Sequence, residues 1–341
     1  MRALILTRHG APEVLQLRER PDLKADAGQV VIAVKRAGLN FSDVAARVGL
    51  YPDAPKPPAV LGYEVAGTIA AVGEGVTGLP VGERVVAMCR FNGQASQVVV
   101  DAAVVRRLPE VLSFDQGAAL PVNYLTAYHM LFHVASLRPG DSVLIHMAAG
   151  GVGLAAIELC KRVPQVRVFG TASASKHAML NERGVQHPID YRSTDYAEEV
   201  RRLTDGKGVN LVLDPLGGPD WHKGYQLLRP AGHLIAFGWA NMVQGDKRRL
   251  PRVVGQYLGM PRYSPYGLMG HNRTVSGVNI GHMWSELPLM SSHLGKLLDL
   301  AAAGEVKPHV DTVFPLSKGA DAHRHMQARN NVGKIVFDCE A

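Results

Sequence analysis

Up to about residue 110 the apolar positions come in short runs, alternating or continuous, cut by glycine and proline. QVVIAVKRAG (29–38), YEVAGTIAAVG (63–73), ERVVAM (83–88) and QASQVVV (94–100) have the length and β-branched content of strands. The turn residues between them predict a small β-barrel or sandwich. PDAPKPPAVLG (52–62) holds too much proline for a strand or helix and reads as a fixed loop. Near Ser113 the spacing becomes helical, in SFDQGAAL and then VNYLTAYHMLFHVA, with Ser113 a candidate N-cap. Strands then alternate with helices: DSVLIHMA (141–148), LAAIELCKRV (154–163), VRVFGTA (166–172), a helix over 175–182, NLVLDPL (210–216) and HLIAFG (233–238). That alternation predicts an α/β domain, a parallel sheet covered on both faces. The stretch 242–269 is less regular and starts basic. TVSGVNI (274–280) reads as a strand, 288–304 and 320–330 as helices, and GKIVFD (333–338) as a last strand. That strand has no partner in the α/β half, so it is expected to return to the N-terminal barrel and make that domain discontinuous.

A chain of 341 residues fits two domains and buries substantial cores without staples. With 47% hydrophobic and 20% charged residues it is ordinary globular material, which excludes a largely disordered chain. No apolar run approaches the roughly 18 residues of a membrane span, and MRALILTRHG is too short a run for a signal peptide. The expectation is a cytoplasmic protein. The net charge of +7 permits weak attraction to phosphates or an acidic membrane surface. Only Lys247, Arg248, Arg249 and Arg252 cluster, and they read as a solvated helix face. Aromatic residues do not alternate with basic ones as a single-strand binder would want, so no specific nucleic-acid partner is expected. Cys89, Cys160 and Cys339 are too far apart to suggest a disulfide framework and too few for a four-cysteine zinc site.

The chemistry enters at Val143–Met147, an apolar strand followed at once by Gly151-Val152-Gly153-Leu154-Ala155-Ala156 at the start of a helix. This is a dinucleotide fingerprint in the context it requires. The first glycine permits the tight turn, the second lets backbone approach a pyrophosphate, and Ala156 lets the helix pack on the strand. The loop Ala149–Gly153 would meet the phosphates with free N–H groups at the helix N-terminus. About 20 residues on, where an NAD site keeps a carboxylate, the chain reads Thr171-Ala172-Ser173-Ala174-Ser175-Lys176. Small hydroxyls and an ammonium suit a 2′-phosphate, so NADPH is the expected cofactor, with Thr171, Ser173 and Lys176 among its contacts. His129, His133 and His146 lack ligand spacing with a cysteine or acid and read as structural.

With AGLNFSD (37–43), LGYEVAGTIAAVGEGV (61–76), AALPVNYLTAY (118–128), GDSVLIHMAAGGVG (140–153), GTASASKH (170–177) and NVGKIVF (331–337), nearly the whole chain resembles the medium-chain dehydrogenase/reductase superfamily. The branch is the zinc-free quinone oxidoreductases. VNYLTAY, VLIHMAAGGVG, GTASASKH, HPIDY and DPLGG are most similar to the vesicle amine transport protein 1 group. The resemblance implies a GroES-like domain (1–122 and 266–341), a Rossmann domain (123–265), an active-site cleft between them, and a homodimer joined near TVSGVNI. Zinc-dependent relatives have a cysteine where this chain has Asn40, and Gly-His-Glu where it has Gly62-Tyr63-Glu64. No catalytic metal is therefore expected. Glu158 stands where the branch usually has glutamine.

Residue by residue, the resemblance places Asn40 near the nicotinamide ribose and the substrate. It places Asp43 in the same loop, where a helix N-cap role is an equal alternative. Tyr51 stands at the cleft mouth, and Asn123 and Thr126 touch the cofactor at the domain junction. Tyr191 flanks the 2′-phosphate, Phe237 and Gly238 end a strand at the ligand edge of the sheet, and Asn331 approaches the nicotinamide. The implied reaction is hydride transfer from NADPH to a quinone or an α,β-unsaturated carbonyl, with Tyr51 or Asn40 donating a hydrogen bond to the acceptor oxygen. The rivals are an enoyl-thioester reductase, an NADPH-binding protein of little catalysis that works at a membrane surface or on a partner, and a charge-driven RNA binder.

Overall fold

The computed structural model describes residues 1–246 and 248–341, so Lys247 of the basic cluster lies outside the described residues. The chain divides into two compact units. The first is Met1–Leu125 with Gly245–Arg248 and Gly281–Ala341; the second is Thr126–Gln244 with Arg249–Ile280.

The first unit opens with β1 (Arg2–Leu6) and β2 (Leu15–Glu19), an antiparallel pair. β3 (Gln29–Leu39) leads into α1 (Phe41–Arg47). Next come β4 (Ala59–Val60), β5 (Glu64–Val72), β6 (Arg84–Met88), β7 (Gln97–Asp101) and β8 (Val105–Arg107). The proline-rich loop therefore ends in a two-residue strand, which pairs with β1. α2 (Phe114–Ala119) starts at Ser113, which accepts the Gln116 N–H while the Gln116 side chain accepts the Ser113 N–H. This reciprocal cap explains why the helix begins there. α3 (Pro121–Tyr128) follows, and the chain passes from the first unit to the second within it.

The second unit alternates as its apolar spacing predicts. β9 (Ser142–Ile145), α4 (Gly151–Cys160), β10 (Arg167–Ala172), α5 (His177–Glu182), β11 (His187–Asp190), α6 (Tyr196–Leu203), β12 (Val209–Asp214), α7 (Pro219–Tyr225) and β13 (Leu228–Ala236) succeed one another. α8 (Leu250–Leu258), α9 (Pro265–His271) and β14 (Thr274–Gly277) complete it. The sheet order is β11-β10-β9-β12-β13-β14, and every pairing is parallel. This is the doubly wound nucleotide-binding order, whose strand reversal beside the first strand opens a ligand crevice at the carboxyl ends. Leu144, Phe169, Val212 and Leu234 are wholly buried in its core.

The chain then returns to the first unit with α10 (Leu287–Ala302), β15 (Val310–Pro315), α11 (Gly319–Gln327) and β16 (Lys334–Asp338). β16 pairs antiparallel with β3, so the orphan strand does rejoin the N-terminal fold. Phe337 and Ile335 enter the same core as Leu4, Ile32 and Leu39. The two units divide at 125/126 and 280/281, where the sequence reading expects 122/123 and 265/266. The physical reason for the second shift is β14: its four residues run in register along β13 from His233 to Ala236, which ties them to the parallel sheet.

Candidate functional site

In the second unit, α4 begins at Gly150 as N-cap, immediately after the turn that leaves β9. The first bond inside the helix runs from Leu154 N–H to Gly150 O, 2.8 Å. The amides of Gly151, Val152 and Gly153 precede it and are available to an anion, and the helix dipole adds to their pull. Gly153 is required by sterics. A Cβ there would lie 2.5 Å from Ala148 O and 2.6 Å from Met147 O. The second glycine of the fingerprint thus lets the helix close onto its own loop, which is how the amides come to converge. Ala156 is fully buried.

Thr171 braces the glycine loop. It is buried, and its hydroxyl accepts the Met147 N–H at 3.2 Å and lies 3.1 Å from His146 Nδ1. It holds the glycine loop in place from the neighbouring strand. His146 is buried and its pKa is pushed down to about 3, mainly by that burial, so it stays neutral. His129 and His133 stack on each other, and burial first, then His133, lowers the pKa of His129. His129 and His146 are buried, and His133 is exposed.

The second cradle forms where β10 and β11 end side by side, Ala172 opposite Asp190. Ser173 starts a short 3-10 turn that ends at half-buried Lys176, and its hydroxyl is 3.2 Å from that of Ser175. After β11 come exposed Tyr191 and Arg192, the guanidinium 5.9 Å from the Tyr191 ring centre. Sequence reasoning named Ser173, Lys176 and Tyr191 but not Arg192 or Asp190. The Asp190 carboxylate accepts the Arg192 N–H at 3.0 Å, a bond that holds its pKa below the usual carboxylate value. It also draws on the Ala174 N–H of the neighbouring turn and on Ser193, so it is spent on the backbone and side chains of both loops. The residues present therefore fit a dinucleotide with a phosphorylated ribose: amides for the pyrophosphate, and an ammonium and a guanidinium at the second cradle.

Phe237 and Gly238 follow β13, with the Phe237 N–H bonded to Asp214 O at 3.0 Å. A Cβ on Gly238 would be 3.0 Å from Pro215 O, so this loop packs on the Asp214–Gly218 turn. Asp214 makes that turn. One carboxylate oxygen accepts the Leu216 N–H at 2.6 Å, and the other is buried with no partner. Burial, helped by Asp220, pushes its pKa up to about 7.

In the first unit, Asn40 stands immediately before α1 and donates its N–H to Asp43 Oδ2 at 2.8 Å. Asp43 is the third residue of the helix, which corrects the alternative that it is itself the N-cap. Its other oxygen accepts the Gly62 N–H at 3.1 Å, and burial pushes its pKa up to about 7 despite those amides and Lys334. The Asn40 side chain donates from Nδ2 to Glu64 Oε1 at 2.8 Å and accepts from Lys334 Nζ at 2.6 Å. Lys334 also pairs with Glu64, whose second oxygen accepts the Val122 N–H at 2.7 Å. Glu64 and Lys334 are buried charges that sequence reasoning missed. Their only sequence signal is a charged residue opening an otherwise apolar strand, in EVAGTIAAV and KIVFD.

Tyr51 is half-buried, its ring edge-on to Tyr63 at 6.2 Å between centres. Asn123 and Thr126 are buried on α3. Asn331 donates from Nδ2 to Gly333 O at 2.9 Å, a bond that shapes the turn into β16. The three cysteines are buried and free. Among the described residues no three histidine, cysteine, aspartate or glutamate side chains gather as a metal set.

Comparison with known proteins agrees with this geometry. The alcohol dehydrogenase GroES-like domain family matches residues 26–120, and the zinc-binding dehydrogenase family matches residues 183–337. The chain is 48% identical over 342 residues to the synaptic vesicle membrane protein VAT-1 homolog of Danio rerio, covering 99% of this chain and 70% of that protein. Among solved structures, Escherichia coli quinone oxidoreductase complexed with NADPH superposes with a TM-score of 0.87 at 28% identity, covering 99% of this chain and 100% of that one. The CurK enoyl reductase does so with a TM-score of 0.83 at 29% identity, over 99% and 98% of the two chains.

Proposed function

We propose, for a chain that belongs to the medium-chain dehydrogenase/reductase superfamily and stands close to the VAT-1 homologues, a metal-independent reduction of a quinone or an α,β-unsaturated carbonyl. The cofactor is NADPH, as in the quinone oxidoreductase structure. When bound it supplies the hydride, and an electron-poor acceptor needs no Lewis acid to take it. The observation that carries this reading is the pair of cradles in one parallel sheet. The α4 amides converge on a pyrophosphate position, and Lys176 and Arg192 flank the next strand ends with no carboxylate in the Ala172–Lys176 turn.

The roles then follow from chemistry. Ala149, Gly150, Gly151, Val152 and Gly153 bind the pyrophosphate. Ser173, Lys176 and Tyr191 bind the phosphorylated ribose, and Thr171 supports both by holding the loop. Phe237, Gly238, Asn123, Thr126 and Asn331 border the nicotinamide half. Tyr51 or Asn40 donates a hydrogen bond to the acceptor oxygen as it gains charge, and Asp43 fixes the Asn40 backbone. An enoyl-thioester reductase, the activity named for CurK, is the alternative within the same chemistry. The test is NADPH consumption with quinone, enone and enoyl-thioester panels, repeated with NADH. The reading expects turnover on a quinone or enone with NADPH preferred. Preference for NADH overturns the cofactor assignment.

A second reading concerns location, and α8 favours it. Leu250, Val254, Tyr257 and Leu258 recur at helical spacing on one face and are exposed, Leu258 at 77%. Tyr266 and Met269 of α9 are exposed as well. Arg249 and Arg262 are exposed beside them, whereas Arg252 is partly engaged through Nε with Asn241 O. An apolar face with arginines at its ends suits the surface of an acidic membrane, in keeping with the vesicle-membrane name of the Danio rerio relative. No helix among the described residues is long and apolar enough to cross a membrane. On this reading a cytoplasmic protein docks reversibly at a membrane face. β14 is an edge strand of its sheet, and a second copy pairing along it would give the homodimer expected from the family.

A further inference from the structure

We propose that Lys334 and Glu64 are positioning residues that lock the Asn40 side-chain amide in one orientation, so that a single Nδ2 hydrogen is presented to bound NADPH. The proposal rests on the reading of Asn40 as a residue that faces the cofactor. The two ends of an asparagine amide have nearly the same shape, and only their partners distinguish them. An ammonium has donors alone and demands the oxygen; a carboxylate has acceptors alone and demands the nitrogen. Lys334 Nζ is 2.6 Å from Asn40 Oδ1, and Glu64 Oε1 is 2.8 Å from Asn40 Nδ2. Turning the amide over would set NH2 against NH3⁺ and oxygen against carboxylate, in a place where water cannot intervene.

The site around this lock is built rather than incidental. Lys334 and Glu64 are 2% and 0% exposed. Glu64 Oε2 is tied to the Val122 N–H, and Gly38 faces the carboxylate because a Cβ there would be 2.5 Å from Oε1. The Asn40 backbone is pinned by Asp43. Of the two Nδ2 hydrogens one is spent on Glu64, and the contacts of Asn40 leave the second for a ligand. The loss of one neutral hydrogen bond to that hydrogen corresponds to roughly tenfold in affinity.

The test is a double-mutant cycle on NADPH dissociation constants, measured by calorimetry on the full chain. It compares wild type, Asn40→Ala, the neutral pair Lys334→Met/Glu64→Gln, and the triple variant. The pair is changed together because removing one partner strands a buried charge. Asn40→Ala and the pair should each weaken NADPH by about tenfold, and the triple variant should be no weaker than Asn40→Ala alone. Losses that multiply, or a pair variant that binds like wild type, overturn the proposal. If the pair variant fails to fold, the wild-type Asn40 side-chain amide is followed by NMR, assigned with Asn40→Ala. One hydrogen should exchange slowly, and the pair should shift on NADPH addition; no shift at saturation overturns the proposal. If wild type reduces neither quinone nor enone, the proposed reaction fails while the binding cycle still decides this point.

Discussion

Replacing Gly153 with alanine is the sharpest probe of the phosphate cradle. The added Cβ would sit 2.5 Å from Ala148 O, half an ångström inside the 3.0 Å that real Cβ atoms respect, and 2.6 Å from Met147 O. Both obstacles are backbone, so no rotamer relieves them. The α4 N-terminus or the Met147–Gly150 turn has to move by about half an ångström, which is the tolerance within which a binding constellation keeps its geometry. Overpacking of this kind costs about 1–3 kcal/mol, and alanine's better helix propensity returns at most about 1 kcal/mol. Stability should therefore fall by no more than about 3 kcal/mol. NADPH affinity should fall as a separate effect, by about tenfold to a hundredfold, because several amide bonds to one pyrophosphate are misaimed together. Calorimetric titration with NADPH, beside urea unfolding of the apo protein, separates the two effects. Gly150→Ala is the milder comparison and should weaken NADPH less: its Cβ would be 3.2 Å from one carbonyl, and its backbone is in an ordinary region. A Gly153→Ala protein that binds NADPH as wild type does would refute the reasoning that this glycine aims the amides.

Three further outcomes are expected. Lys176→Glu should lower the ratio of NADPH to NADH efficiency by at least about tenfold, since it trades a charge-assisted bond to the 2′-phosphate for a repulsion; steady-state kinetics with both cofactors decides it. Asp214 has a folded pKa raised to about 7 from 3.8, so its stabilising contribution is complete below pH 3.8 and is lost as pH rises through 7. Urea unfolding between these pH values should show wild type losing up to about 4 kcal/mol relative to Asp214→Asn, and parallel pH profiles would contradict the assignment. Val254→Glu with Leu258→Glu should abolish sedimentation with phosphatidylserine vesicles and leave NADPH affinity intact; unchanged sedimentation would dismiss the α8 face as a docking surface.

The parts of this molecule that were legible in its sequence are those whose signals are local. The strand, glycine turn and helix of the nucleotide cradle lie within twenty residues, and the capping of α2 at Ser113 lies within four. The return of the last strand was readable by elimination, because GKIVFD had no place in the α/β half. What escaped depends on distant partners. β1 and β2 are short, and their sheet exists only by pairing with each other and with Ala59–Val60. The reach of the parallel sheet to residue 280 depends on the β13–β14 register. Nothing near Thr171 in sequence shows that its hydroxyl meets His146 and Met147 across the strand ends. Glu64 and Lys334 are 270 positions apart, and neither announces that the other will neutralise it in the core.

The central claim is tested most directly by following the nicotinamide absorbance of NADPH with the wild-type protein and a panel of quinones and enones, then repeating the panel with NADH. The account predicts saturable oxidation of NADPH that depends on the acceptor, with NADH much slower. Tight NADPH binding without turnover on either panel would contradict it, and the chain would then stand as a nucleotide-binding protein rather than a quinone or enone reductase.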